Sequence, residues 1–371
     1  MKIKIASPEF NRSDRSFLYR KIENILSSKL SMGKNVHEFE KKFSKYIGTK
    51  YAVAMNSCTS TLECVLSFYS KRGKEVILPS QTFIANGSAV INSGLKPIFS
   101  EISSKHFCLD IDDVKKKISK KTAAIIIVHM SGYLSHDILK LREMCKKNKI
   151  ILIEDCAHAV GSQIKNKKAG TFGDAGCFSF YPTKILTTGE GGMLTTNNKQ
   201  LADFARSYQN RGRDIKKNYE VYNFLGRNVR MTEISAVLGI IQLKKIKIFL
   251  KNRRQVANTY KKLLKKNRFL NIILPKDIKQ TSCWKIPIVI NKKFNRDVII
   301  KELRNKGIET DKAYYPPLHL QPAVKNLYNF KRGLIPKTED LLSRHICLPS
   351  HQSMSIQEAK YVSKLINELV K

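Results

Sequence analysis

The chain contains 371 residues, of which 42% are apolar, and this content predicts large packed cores and argues against a disordered protein. Its formal net charge of +38 could favour binding to a nucleic acid, a membrane surface or an anionic small molecule. The lysines occur in scattered short runs such as Lys115–Lys117 and Lys244–Lys245, which is typical of solvated surfaces, so we attribute the charge to compositional drift. The eight cysteines match neither a zinc site nor a disulfide framework, and no segment resembles a signal peptide or a transmembrane helix. We therefore expect a cytoplasmic protein without a metal site and without membrane or nucleic-acid partners.

Short apolar runs alternate with helical patterns over the first half of the chain. This alternation predicts a doubly wound, mostly parallel sheet, in which ligands bind beyond the carboxyl ends of the strands. A helix is expected after Ser57 and another at Ser135–Asn148. The expected strands are Tyr51–Met55, Glu75–Leu78, Pro97–Phe99, Ala123–His129, Ile150–Glu154 and Ala175–Phe180.

The second half begins with a long helical pattern. It starts at Glu233 and is expected to continue through Tyr260, joining two domains. We divide the chain into a large domain, 1–245, and a small C-terminal α/β domain, 246–371. The elements expected in the small domain are a strand at Trp284–Ile290 and helices at Arg296–Lys306 and Ser355–Val370.

A lysine follows one of the buried strands directly. Lys184 lies after Phe180 and before the Gly-rich turn 189–192. Desolvation at such a place lowers the pKa of an amine and makes it nucleophilic. The alternative is an exposed loop lysine, which most lysines are.

Two other strand ends carry polar groups. The strand at Ile150–Glu154 leads to Asp155, a carboxylate that could keep the pyridine nitrogen of pyridoxal phosphate (PLP) protonated, and to His158. Asp155 could instead cap the next helix, and His158 could pack in the core. After the first strand, Cys58 and Thr59 open a helix whose N-terminus suits a phosphate, although plain N-capping by Ser57 or Thr59 explains the same residues.

Together these segments resemble the DegT/DnrJ/StrS group of nucleotide-sugar aminotransferases, which are PLP enzymes of the aspartate-aminotransferase fold (fold type I). The resemblance covers nearly the whole chain. It implies a large, mostly parallel α/β domain that binds PLP and a small C-terminal α/β domain. Its most specific parts are FGDAGCFSFYPTK with TTGEGGM, EDCAHAVGS and LGRNVRMTEISAVLGIIQL.

The resemblance assigns roles around the cofactor ring. Lys184 is similar to the lysine that binds PLP as a Schiff base, and Asp155 looks like the partner of the pyridinium nitrogen. His158 falls where these enzymes contact the phenolic oxygen. Phe83, in PSQTF, looks like the aromatic residue that stacks on the ring, although such a residue alone would more often be part of a core.

The resemblance also implies contacts with the cofactor phosphate. Cys58, Thr59 and Ser179 match phosphate-binding positions, and Cys58 stands where many relatives have Gly or Ala, which leaves amide donation intact. Asn228, in GRNVRM, resembles the asparagine that reaches the phosphate in the neighbouring subunit. We therefore expect a homodimer with shared active sites.

Tyr314 and His319, in AYYPPLHLQP, lie in the segment that shapes the sugar pocket of the family. The implied reaction moves an amino group from an amino acid, which we take to be L-glutamate, to a nucleotide-linked keto-sugar. A PLP-dependent dehydratase of the same family is one alternative, but relatives of that kind have His in place of the lysine, so Lys184 favours transamination. A DNA-binding regulatory protein, suggested by the charge alone, is the second. The stretch 128–137 departs from the family pattern and leaves the sugar open.

Overall fold

The computed structural model describes residues 2–371. The strands are β1 Tyr51–Met55, β2 Glu75–Pro79, β3 Lys96–Ser100, β4 Thr122–Val128, β5 Ile151–Asp155, β6 Gln163–Ile164, β7 Lys167–Lys168, β8 Ala175–Ser179, β9 Gly192–Thr196, β10 Leu270–Ile272, β11 Ile286–Ile290 and β12 His345–Leu348. The α-helices are α1 Arg12–Leu26, α2 Lys34–Ile47, α3 Cys58–Tyr69, α4 Ile84–Asn92, α5 Ile111–Lys117, α6 Asp137–Lys147, α7 Lys199–Tyr208, α8 Glu233–Leu264, α9 Arg296–Asn305, α10 Pro322–Tyr328, α11 Pro336–Arg344 and α12 Ile356–Leu369.

The main sheet has seven strands in the order β1-β9-β8-β5-β4-β2-β3. The pairs from β8 to β3 are parallel, whereas β9 runs antiparallel to both of its neighbours, β1 and β8. The predicted mostly parallel α/β sheet is therefore confirmed. The sequence analysis missed β9, because its first residue, Gly192, was assigned to the Gly-rich turn.

The six strands predicted in this sheet all occur, with ends that differ by at most one residue from the predicted ones. The central strand β4 is buried along its whole length, as its near-continuous apolar sequence predicts for a parallel strand covered on both faces. One apolar cluster lies between the sheet and α2, α6 and α8, and a second lies between the opposite face and α3, α4 and α7. The carboxyl ends of the strands are left as the open edge of this three-layer sandwich.

The chain continues into a three-stranded antiparallel sheet, β10-β11-β12, with its own apolar cluster. Ile3 from the N-terminus packs into that cluster and pairs with Ile308. The predicted boundary at 245/246 falls inside α8, which spans 32 residues without a break. The division 1–245 and 246–371 stays a prediction.

Helix α8 is tied to α2 at its first residue. The Glu233 carboxylate accepts hydrogen bonds from the backbone amides of Gly33, Asn35 and Val36 at 2.9–3.0 Å, so one buried carboxylate satisfies the N-terminus of the neighbouring helix. Within residues 2–371, none of the helices combines the length and the apolar character needed to cross a membrane.

Candidate active site

A cavity of about 860 Å³ lies beyond the carboxyl ends of the main-sheet strands. Because β1, β2, β5 and β8 all point toward this edge, residues far apart in sequence meet there. Eight of the predicted site residues line the cavity. They are Cys58, Thr59, Phe83, Asp155, His158, Ser179, Lys184 and Tyr314.

Lys184 lies in the loop that follows β8. Its Nζ atom is 4.6 Å from the centre of the Trp284 ring, and no carboxylate within residues 2–371 forms an ion pair with it. Burial lowers the pKa of this amine to about 8, and the opposing effect of Asp155 and Cys58 is smaller. A substantial fraction of the amine is therefore neutral near physiological pH, as a nucleophile requires.

Asp155 is the last residue of β5, and its side chain is held from two sides. One carboxylate oxygen accepts a hydrogen bond from Asn86 Nδ2 at 2.6 Å, and the other accepts one from the Ala157 amide at 2.9 Å. No helix begins at this point, and the chain makes a tight turn instead. The alternative in which Asp155 caps a helix is therefore wrong. Asn86, on α4, was missed because its partner is 69 residues away.

His158 is buried against Trp284. The two rings are parallel within 6° with centroids 3.6 Å apart, and His158 Nε2 lies 3.2 Å from the Tyr314 hydroxyl. Burial, together with the nearby charges of Lys184 and Lys285, keeps the pKa of His158 well below its usual range. The imidazole is thus neutral, and its buried Nδ1 has no protein partner within residues 2–371. Because His158 lines the cavity, this nitrogen is available to a hydrogen-bonding group of a ligand.

The start of α3 forms one end of the cavity. The side chain of Ser57 caps the helix by accepting from the Ser60 amide, whereas the amides of Cys58 and Thr59 have no acceptor within the helix. Gly192 approaches closely, since a Cβ there would lie 2.3 Å from the carbonyl of Ser57. Any larger residue would displace the helix start. Ser179 adds a hydroxyl beside this free N-terminus, which suits a phosphate.

Phe83 projects into the cavity with 56% of its surface exposed, at 5.6 Å and 45° from the Tyr314 ring. An aromatic side chain left so exposed at the mouth of a cavity is not a core residue. The alternative in which Phe83 belongs to the core is therefore wrong. Its free ring face is available to a planar ligand.

The sequence and structure comparisons agree with this geometry. Residues 13–367 match the model of the DegT/DnrJ/EryC1/StrS aminotransferase family. The chain belongs to this family. It is 33% identical to the GDP-perosamine synthase of Escherichia coli O157:H7, with 99% of this chain and 98% of the relative aligned. The structure of Helicobacter pylori PseC, an aminotransferase of pseudaminic acid biosynthesis, superposes with a TM-score of 0.92 at 28% identity and covers 100% of this chain and 99% of PseC.

A third relative, described as a sugar aminotransferase of Streptococcus pneumoniae and solved in its PLP form, has a TM-score of 0.90 at 26% identity over 100% of this chain and 99% of that one. The family match and these relatives identify the chain as a sugar aminotransferase of amino-sugar biosynthesis. The predicted family, fold and enzyme class are thereby confirmed.

Two predicted site residues of this aminotransferase do not line the cavity. Asn228 is exposed and lies beside Asn210 in a two-residue β-bridge. His319 is fully buried, with Nδ1 at 2.8 Å from Ser80 Oγ and Nε2 at 3.1 Å from Glu339. Both of its ring nitrogens are occupied, so His319 supports the cavity wall from behind and we no longer assign it to the substrate.

The sequence analysis also missed an ion pair on the opposite side of the cavity. Lys285 and Asp311 are joined there, and Lys285 Nζ lies 4.1 Å from the centre of the Trp284 ring. Lys285 was assigned to a strand, and Asp311 lies in a segment without regular structure. Neither residue carries a local sequence signal, because the pair forms only when the segment around Asp311 and the strand after Lys285 both pack against β12.

Three buried side chains of the kinds that bind metals, His129, Glu154 and Cys156, have ligand atoms within 4.8 Å of one another. The Glu154 carboxylate, however, already accepts hydrogen bonds from His129 and from the amides of Gly170, Phe172 and Gly173 at 2.7–2.9 Å. We interpret this cluster as the anchor of the loop that precedes β8.

Proposed function

We propose that the protein transfers an amino group from an amino acid, L-glutamate in our interpretation, to a keto-sugar linked to a nucleoside diphosphate, with PLP as its cofactor. The observation that carries the proposal is the meeting of a half-buried amine with a lowered pKa, Lys184, with a carboxylate, Asp155, and a free helix N-terminus at Cys58 and Thr59 in one cavity. These groups fit an aldehyde, a ring nitrogen and a phosphate respectively. The relatives named for GDP-perosamine and pseudaminic acid biosynthesis support the sugar substrate.

PLP, when bound, supplies an electron sink that makes a proton on the neighbouring substrate carbon acidic. Lys184 would anchor it through Nζ and, once released, carry that proton to and from the substrate carbon. Asp155, oriented by Asn86, would hold a proton on the ring nitrogen, and His158 Nδ1 would donate to or accept from an oxygen on the ring edge. Phe83 would cover one ring face.

We further propose that the enzyme is a homodimer in which Asn228 reaches the phosphate of the other subunit. Its exposure at the surface and its absence from the cavity of its own chain support this assignment. The eight cysteines are free and buried, which supports the expectation of a reducing cytoplasm.

The reaction is tested with a panel of keto-sugar nucleotides and L-glutamate, monitored by mass spectrometry. The proposal requires 2-oxoglutarate and an amino-sugar nucleotide in equal amounts. A dehydratase would consume the sugar without consuming glutamate, and a DNA-binding protein would leave both unchanged. Either result would overturn the proposal.

A further inference from the structure

A second cavity, of about 700 Å³, lies apart from the active site and shares no lining residue with it. It is a groove between the C-terminal half of α2, the middle of α8 and the β6–β7 hairpin. Tyr46, Gln163 and Leu250 contribute one wall each from these three elements. Nothing in the proposed reaction uses this groove.

The charge of this groove has a single sign. Six of its lining residues are cationic and none is acidic; we call the groove the basic cavity after these six, which are Lys42, Lys45, Lys168, Lys244, Lys247 and Arg254. Lys42 pairs with Glu38 at 3.0 Å. Across residues 2–371, no ion pair joins the other five to a carboxylate.

Two side chains of the basic cavity, Tyr46 and Arg254, offer hydrogen-bond donors to a ligand. Burial raises the pKa of Tyr46 to about 12, so its hydroxyl keeps its proton. Arg254 is fixed by backbone carbonyls: Nη2 donates to Gly161 at 2.9 Å and Nε donates to Thr281 at 3.1 Å. Its Nη1 has no acceptor within the described part of the chain. A guanidinium held in this way is positioned for an anion before the anion arrives.

This arrangement is unfavourable in the absence of a ligand. Burial and the neighbouring charge of Lys247 both lower the pKa of Lys168, and burial lowers the pKa of Arg254. Like charges brought together and partly desolvated destabilise the folded state, whereas a bound anion would neutralise them. Lys168 and Arg254 are the partly buried cations, whereas Lys45, Lys244 and Lys247 stand exposed around them. This grouping of positive charge suits a ligand with several negative charges better than a single carboxylate.

We propose that the basic cavity binds a polyphosphate group, either free pyrophosphate or the diphosphate of a nucleotide. The apolar side chains of Ile240, Leu243 and Leu250 also line the groove and offer a surface for a nucleoside. The site is separate from the active site, so the proposal does not depend on the identity of the sugar or the cofactor.

The test is isothermal titration of the PLP-loaded enzyme with pyrophosphate at constant ionic strength. We expect one saturable site per chain. Lys168→Gln/Lys247→Gln should weaken binding by roughly tenfold or more, because two charge-assisted contacts are lost. The control, Lys115→Gln/Lys116→Gln, removes the same charge from an exposed part of α5 and should bind normally. Lys168→Arg/Lys247→Arg should restore most of the affinity, and an unchanged thermal unfolding midpoint shows that the glutamine variant folds.

Three outcomes would overturn the proposal: no saturable binding, equal weakening in both glutamine variants, or loss of binding in Lys285→Gln, which would assign the anion to the active-site cavity. Titration with UDP and GDP distinguishes the two sources of the ligand. A nucleoside diphosphate that binds much more tightly than pyrophosphate, and that loses this affinity in Lys168→Gln/Lys247→Gln but not in Lys285→Gln, shows that the apolar wall takes part. Equal affinity for pyrophosphate and for the nucleoside diphosphates shows that the basic cavity recognises only the phosphate groups.

Discussion

The active-site cavity has two walls of different origin. The sheet wall consists of side chains that follow β1, β2, β5 and β8, including Thr59, Asp155 and Lys184. The opposite wall consists of residues from the C-terminal part of the chain, among them Trp284, Asp311 and Tyr314. The sheet wall carries groups suited to a cofactor, whereas the opposite wall packs against them and closes the cavity.

Packing between the two walls explains why the pKa values of a neighbouring amine and imidazole are both lowered. Trp284, from the opposite wall, stacks on His158 and lies over Lys184, both of which belong to the sheet wall. Its indole nitrogen donates to the Thr183 carbonyl at 2.7 Å, which fixes the ring in place. The sheet wall supplies the reactive groups, and the opposite wall supplies the burial that lowers their pKa values.

The largest loss of turnover is expected from a substitution in the sheet wall. Lys184→Ala removes both the anchor of the cofactor and the proton carrier, so turnover should fall by roughly 10³–10⁴-fold or more. Glutamate-dependent formation of the amino-sugar nucleotide measures this loss, with Lys115→Ala as a control at an exposed lysine outside both cavities. Borohydride treatment of the native enzyme should attach the cofactor to Lys184. A label on any other lysine would show that the assignment is wrong.

Asp155→Asn should keep the fold and bind PLP but lose roughly a hundredfold or more in turnover, because a neutral amide no longer stabilises the protonated ring nitrogen. Absorption spectra would establish cofactor binding, and single-turnover kinetics would measure the chemical step. Asn86→Ala leaves the Asp155 carboxylate in place but removes one of its two hydrogen bonds, so its turnover should fall much less. Near-normal turnover in Asp155→Asn would assign that residue a purely structural role.

The lowered pKa of Lys184 predicts how PLP enters the apoenzyme. Only the neutral amine attacks the aldehyde, so the association rate should rise tenfold per pH unit and level off above a pH of about 8, rather than near the ordinary value of 10.5. The unfolded chain keeps this proton up to the higher pH, so the same group makes the stability of the apoenzyme increase as pH rises between about 8 and 10.5. Stopped-flow absorbance measures the rate. A midpoint near 10 would refute the burial argument.

Asn228 belongs to neither wall of its own subunit. Asn228→Ala should weaken PLP retention by roughly ten- to hundredfold, as expected for the loss of a hydrogen bond to a charged group worth about 1.5–3 kcal/mol. Mixing this variant with Lys184→Ala tests the shared site, since one site of the mixed dimer carries both changes and the other carries neither. Activity should reappear after subunit exchange. Proven mixed dimers without activity, or an active native monomer, would contradict the proposal.

The smallest effect on catalysis is expected behind the opposite wall. His319→Ala removes one buried hydrogen-bond partner each from Ser80 and Glu339, so it should lower the free energy of unfolding by about 1–3 kcal/mol. The KM for the sugar should stay within about twofold, because the side chain does not line the cavity. Denaturation by urea and steady-state kinetics provide the two measurements. A large rise in KM with unchanged stability would show that His319 contacts the substrate.

The sequence alone determined much of the sheet wall. Strand β1 occurs at Tyr51–Met55 as predicted, and the cap at Ser57 and the position of Lys184 after β8 were evident from residues close in sequence. Hydrophobic runs, caps and strand ends are local properties, and the rule that parallel strands present their carboxyl ends at one edge brings the residues together. The family resemblance added roles that no local pattern contains.

Tertiary structure decided the rest. Strand β9 pairs with the nearby β8, but its insertion between β8 and β1 depends on pairing with a strand more than 100 residues away, to which no local pattern points. The stacking of Trp284 on His158, the ion pair of Lys285 with Asp311 and the enclosure of His319 likewise join separate segments. The charge of the chain was visible from its composition, but its concentration in the basic cavity was not, because a groove exists only once α2, α8 and the β6–β7 hairpin have packed together.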